Sequence, residues 1–161
     1  MAIPTLGAMI IAMGSPAEWG AFAIGAANSK LFVNAGATAP EWANGYKVLS
    51  TTHDVSATGT QAITGAGFKP SSGVIFATID NTEGAAWGMF DSSKAIVALL
   101  ANRSGAAGVY EPYSAICLYN ADGSAAASFT ITSLDADGLT ITWEKIGSPT
   151  GTATIKLLLL R

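Results

Sequence analysis

Leu139-Thr140-Ile141-Thr142-Trp143-Glu144 alternates apolar and polar residues without a break. Successive side chains of a strand point to opposite faces. Leu139, Ile141 and Trp143 therefore share one face, and Thr140, Thr142 and Glu144 the other. One buried face and one wet face is the pattern of an antiparallel sheet. Upstream, Phe129-Thr130-Ile131-Thr132 repeats it. Between the two lies Asp135-Ala136-Asp137-Gly138, which predicts a hairpin with an Asx-stabilised turn and Gly138 at positive φ.

The same reading extends along the chain from residue 48. Thr and Val, Ile or Leu alternate between Gly-rich turns. Candidate strands are Tyr46–Thr52, Gln61–Thr64, Gly73–Asp80, Ala86–Phe90, Ala95–Leu100, Ala115–Tyr119, Ala126–Ser133, Leu139–Ile146 and Ala153–Leu160. In the last, Ala153, Ile155, Leu157 and Leu159 form one face. Leu158 and Leu160 lie on the other, beyond Lys156. An end that is apolar on both faces belongs in the middle of a sheet or at a subunit interface. No stretch carries a helical stripe of three turns. The expectation is an all-β protein: an antiparallel β-sandwich, jelly-roll-like, over residues 48–161.

Residues 1–47 differ in composition. Their only charges are Glu18, Lys30, Glu41 and Lys47, amid Ala and Gly. One internal echo stands out: Ser15-Pro16-Ala17-Glu18-Trp19-Gly20 returns loosely as Thr38-Ala39-Pro40-Glu41-Trp42-Ala43-Asn44-Gly45. Leu31-Phe32-Val33 between them is a short strand candidate. A segment this short buries no core alone, so the expectation is an extended N-terminal arm whose two Trp residues pack on the rest of the chain or on a neighbouring subunit. Met1–Met13 is apolar but lacks a basic start and is interrupted by Pro4, unlike a secretory signal.

Composition excludes several classes. Of 161 residues, 50% are hydrophobic and 12% charged, against about 25% charged in an average domain; mean hydropathy is +0.40. Disordered chains have the opposite balance. No apolar run reaches the roughly 18–20 residues of a membrane-spanning helix. The net charge of −3, from 8 basic and 11 acidic residues, with no basic cluster, argues against nucleic acid as a partner. Charge alone does not cover such a surface. Either Thr, Ser, Gly and Asn coat it, or much of it is buried against other subunits.

The chemistry-bearing motifs are few. G-x-S-x-G, Walker A and G-x-G-x-x-G patterns are all missing. Cys117 is the single cysteine and His53 the single histidine, so no disulfide or zinc set is expected. A Cys117–His53 nucleophile pair is weighed against a simpler reading. Cys117 lies in the apolar run Ala115-Ile116-Cys117-Leu118, where Cys is usually a small core residue, and His53-Asp54 ends a strand. Asp135-Ala136-Asp137-Gly138 and Asn120-Ala121-Asp122-Gly123 lack the further ligands of a calcium loop. Asp80, Glu83 and Asp91 are close only in sequence and make no glycosidase pair. No catalytic, cofactor or metal residue is assigned, and no cofactor is expected.

Two stretches resemble a known module. His53-Asp54-Val55-Ser56-Ala57-Thr58-Gly59-Thr60-Gln61-Ala62-Ile63-Thr64-Gly65-Ala66-Gly67-Phe68-Lys69-Pro70 resembles the opening of a β-rich module of tailed-bacteriophage virion proteins, where a TGTQAVTGVGFKP run leads into an apolar strand. Ser133-Leu134-Asp135-Ala136-Asp137-Gly138-Leu139-Thr140-Ile141-Thr142-Trp143, followed by Gly151-Thr152-Ala153-Thr154-Ile155, is similar to its close, S-D-D-G-F-T-x-W then G-T-A-x-x-x-Y-L-A. Leu139 stands where the module has Phe, and Leu157–Leu160 where it has a Tyr-containing end. Asn28 to Trp42 is similar to the G-Q-V-L-x-x-N-G-A-G-x-A-P-x-W linkers of phage fibres. The resemblance spans residues 28–161 and brings no catalytic residues.

It implies a non-enzymatic virion structural protein on the phage particle surface, made in the host cytoplasm. The arm, residues 1–47, would attach it to the major capsid protein or another virion protein, and the sandwich would project. A capsid decoration or head-fibre protein is favoured over a short tail-fibre or receptor-binding protein, because the length leaves no room for a shaft. The alternative class is a carbohydrate-binding module, with Tyr110, Tyr113 and Tyr119 stacking on host surface glycan. The low charge predicts a homo-oligomer, and the resemblance makes it a trimer. The interface is placed on Leu157, Leu158 and Leu160 and on the arm around Trp19 and Trp42.

Overall fold

A computed structural model describes residues 9–13, 18–22, 25–26, 29–33, 39–80, 85–101, 115–119 and 125–161, with backbone only at 9–13, 18–22, 97–101 and 119. The strands are β1 (Met9–Met13), β2 (Glu18–Phe22), β3 (Lys30–Val33), β4 (Pro40–Ala43), β5 (Tyr46–Asp54), β6 (Gly59–Thr64), β7 (Ser72–Ile79), β8 (Ala85–Phe90), β9 (Ile96–Ala101), β10 (Ala115–Tyr119), β11 (Ala126–Asp135), β12 (Gly138–Ile146) and β13 (Thr152–Leu160). The chain divides into two units, Met1–Gly45 and Tyr46–Arg161. The division falls just ahead of the expected 47/48 boundary, because Tyr46 and Lys47 already pair with Leu160 and Leu159.

The larger unit is an antiparallel sandwich. One sheet has the order β5-β13-β7-β8-β9 and the other β10-β11-β12-β6. The last two strands return beside the first two, β13 next to β5 and β12 next to β6, the feature shared with jelly rolls. Between them the chain runs as two meanders, β7-β8-β9 and β10-β11-β12. The inner faces meet in a single core. From the five-stranded sheet come Ile75, Ala77, Ile79, Ala86, Phe90, Ile96, Ala153, Ile155, Leu157 and Leu159; from the other come Ile63, Ile116, Leu118, Phe129, Ile131, Leu139, Ile141 and Trp143. This is the alternation of the sequence made physical: β7, β8 and β13 each give every second side chain to the core.

The β11–β12 hairpin forms as the sequence predicts, Asp135 opposite Gly138, with Gly138 at φ 144°. A Cβ at Gly138 would lie 2.0 Å from the Ile63 carbonyl oxygen of β6, so only glycine admits this approach. The turn's carboxylates do not make the expected local Asx turn. Asp137 reaches across to the loop after β6 and accepts from the backbone N–H of Gly65 (3.0 Å) and Gly67 (2.5 Å), while the Ala66 N–H donates to the Asp137 carbonyl (3.2 Å). Positive φ at Gly65 and Gly67 turns these amides toward one anion. Asp135 accepts from the hydroxyls of Ser133 and Thr140, each at 2.7 Å. Asx turns form instead at Asp54 and Asp91, each accepting from the backbone N–H two residues on.

The smaller unit holds two hairpins, β1–β2 and β3–β4, where the sequence suggested an extended arm with one strand. Each Glu-Trp of the internal echo lies in the return strand of a hairpin. Trp19 pairs with Ala12, and Trp42 with Leu31.

Candidate interface

The two outward faces of the sandwich are chemically different. On the four-stranded sheet, Thr60, Ala62 and Thr64 of β6 lie beside Thr140 and Thr142 of β12, next to Ser128 and Thr130 of β11. Thr132 and Thr142 hydrogen-bond through their hydroxyls. Cys117 lies on this same side of β10, opposite Ser128.

On the five-stranded sheet the register builds apolar rows. Leu158 stands between Val48 and Val74, and Val74 is opposite Met89. Lys156 stands between Ser50 and Phe76, and Phe76 is opposite Trp87. Leu160 is opposite Tyr46. The Phe76 and Trp87 rings stack with centroids 6.3 Å apart and planes 21° from parallel. These side chains are open to solvent: Tyr46 60%, Val48 59%, Met89 56%, Phe76 55%, Trp87 41% and Leu160 39% exposed. Lys156 is the only charge among them. Thr52, Thr154 and Thr78 form a polar margin at one end.

The expected interface residues separate on this geometry. Leu158 and Leu160 lie on the outward face. Leu157, 1% exposed, is in the core between Leu49 and Ile75, and that placement corrects its assignment to an interface. Period 2 requires it, since Leu157 shares the parity of Ala153 and Ile155. Trp42 is in the other unit, its ring lying over Gly25, where an added Cβ would come within 2.5 Å of it. The side chain of Trp19 lies outside the described residues, as do Tyr110, Tyr113, Glu83 and residues 120–124; the Tyr119 side chain does too. Sequence reasoning missed Tyr46, Val48, Val74, Phe76, Trp87 and Met89. Their signal was present: the strands containing Val74-Phe76 and Trp87-Met89 are apolar at both parities.

Two part-buried polar side chains, Gln61 and His53, are engaged between the sheets. Gln61 of β6 bridges the sheets where their edges approach. Its Nε2 donates to Thr51 Oγ1 (2.9 Å) and to the Thr52 carbonyl (3.0 Å) of β5, and its Oε1 accepts from buried Trp143 Nε1 (2.9 Å). His53 stacks on Trp143 at 4.2 Å with planes 6° apart. It faces inward rather than simply ending its strand in solvent. Cys117 is on β10, at the far edge of the four-stranded sheet from β6, so the chain does not bring it to His53. It is half-buried rather than a core residue, and partial burial pushes its thiol pKa up, away from thiolate chemistry.

Asp137 is held below the usual carboxylate range by the amides of Gly67 and Gly65, and Asp135 by the hydroxyls of Thr140 and Ser133. Asp54 and Asp91 are lowered by their Ser56 and Ser93 partners. Among the described residues no three His, Cys, Asp or Glu side chains gather as a metal site, and no helix is long and apolar enough to cross a membrane. No protein-family model, curated protein or solved structure matches the chain.

Proposed function

We propose that this chain is a non-enzymatic structural protein of a bacteriophage virion, of the capsid decoration or head-fibre type. Residues of the smaller unit attach it to the major capsid protein or another virion protein, the sandwich projects from the particle surface, and copies associate as a homotrimer. One observation carries the reading. The two stretches that resemble the opening and close of the phage module are neighbours in the fold. β6 pairs with β12, and Asp137 of the second stretch binds the Gly65 and Gly67 amides of the first. The motif residues thus have a joint structural reason, which a chance resemblance at two distant places would lack. The apolar outer face fits a protein that works by assembling.

The test is the copy number of this chain in purified virions, by quantitative mass spectrometry against the major capsid protein. Hundreds of copies are expected for a decoration protein. A handful would move it to the tail as a short fibre or receptor-binding protein, and absence from the particle would overturn the reading.

A further inference from the structure

We propose that the outer face of β5-β13-β7-β8 is the surface through which copies of this chain bind one another. The proposal specifies the surface used by the oligomer of the preceding section, and it holds or fails independently of where on a virion the protein sits.

The first argument is area. Tyr46, Phe76 and Trp87, aromatics of roughly 150–250 Å² each, together with the smaller Val48, Met89 and Leu160, all about half exposed, present on the order of 600 Å². That lies at the upper end of the ~300–600 Å² of the largest patch on an ordinary monomer. With Val74, Leu158 and the stem of Lys156 it approaches the roughly 800 Å² per partner of a stable interface. The second argument is composition. Around the single Lys156 the rows are aromatic, aliphatic and methionine, with the Thr margin to one side, an arrangement that resembles an interface core and its rim. The third is the contrast within one molecule, since the opposite sheet presents mainly Thr and Ser, with Glu144 and an exposed Ile146 at the end of β12.

A sugar ligand fits this face poorly. Val48, Leu158, Val74 and Met89 offer no hydrogen-bond donors or acceptors from their side chains; within the rows the charged donor is Lys156, beside Ser50, and the Thr side chains stand along the margin. A second copy needs none, because pleated sheets pack face to face on apolar side chains, about 10 Å apart. Direct packing of this face on its own copy is a two-fold contact; in a trimer the three faces would instead turn toward a common axis, and in both cases this one surface is buried in every copy.

The experiment uses the full chain and a double variant, Phe76→Thr with Met89→Thr. Threonine keeps β-propensity and reproduces the coating of the other sheet. Light scattering at micromolar concentration should give a multiple of the chain mass for the unmodified protein, and the mass of one chain for the variant with an unchanged circular dichroism spectrum. A dimer in place of a trimer would support this face while refuting the three-fold order. A monomeric unmodified protein, or a folded variant that keeps the full oligomer mass, would overturn the proposal. Hydroxyl-radical footprinting of the unmodified chain decides the matter should the variant not fold. Oxidation of Met89 and Trp87 should fall as concentration rises, and equal oxidation at all concentrations would overturn the proposal.

Discussion

Leu157 and Leu158 are neighbours on β13 with opposite fates, and truncating each to alanine separates the core from the outer face. Leu157 is 1% exposed between Leu49 and Ile75. Both of its strand neighbours are fixed by pairing along their length, so the site has little freedom to collapse around a lost isobutyl group. Leu157→Ala should cost about 3 kcal/mol, within the ~2–5 kcal/mol range for buried leucines. That is roughly a 150-fold fall in the folded-to-unfolded ratio, or about 10 °C in Tm for a domain of this size. Leu158 is partly exposed between Val48 and Val74. Leu158→Ala should cost the isolated protomer about 1 kcal/mol or less, with any further loss arising from weakened association. The two losses differ in concentration dependence. A core loss is the same at any protein concentration, whereas a loss that comes from weakened association grows with concentration and fades on dilution, where neither protein is associated. Urea and thermal unfolding, followed by tryptophan fluorescence at two concentrations tenfold apart, reads both. The reasoning is refuted if Leu158→Ala is the more damaging in dilute protein, or if the Leu157→Ala loss changes with concentration.

Three further outcomes follow from the polar contacts. Gln61→Leu removes the acceptor of Trp143 Nε1, leaving a buried donor unpaired, and should lower stability by ~1–3 kcal/mol in urea unfolding. Asp137 and Asp135 have folded-state pKa values below their unfolded value of about 3.9, so their stabilisation is complete above that pH and lost as pH falls through the folded values. Tm should therefore hold steady from neutral pH to about 5 and then fall, and Asp137→Asn should start from a lower Tm and show a shallower acid decline. Cys117→Ser, on a half-buried outward site opposite Ser128, should stay within about 0.5 kcal/mol of the unmodified protein; a loss of several kcal/mol would place the thiol in the core.

Strand identity was legible wherever alternation was strict. Leu139–Glu144 and Phe129–Thr132 show it, because each has one parity of Thr and one of large apolar residues. Face identity was legible in β13 as well, since Thr154 and Lys156 mark the outward parity that Leu158 and Leu160 continue. It was not legible in β10, where Ala115, Ile116, Cys117 and Leu118 are apolar at both parities and packing alone turns Ile116 and Leu118 inward. The hairpins of the smaller unit were hidden for another reason: β4 opens with Pro40, β2 contains Gly20, and each is too short for its period to show. The Asp137 bridge was illegible because it joins groups 72 and 70 residues apart in sequence, a distance that no local turn rule covers.

The difference between the two outer faces is not explained by strand formation. Thr and Val are both β-branched and of similar shape, and both suit a pleated strand. On the four-stranded sheet this chain builds much of an outward face from Thr60, Thr64, Thr140, Thr142 and Thr130. Nothing in backbone preference then requires Val at 48 and 74, nor Phe76, Trp87 and Met89, on the other sheet. Nor does the core require them, because Ile75, Leu157 and Leu159 beneath already fill it. A chain with 12% charged residues has shown that it covers a sheet with hydroxyls and has not done so on β5-β13-β7-β8. Under the self-association proposed above, the residues there answer to what lies outside the protomer, and another copy of the same sheet would match a flat apolar sheet in shape and chemistry.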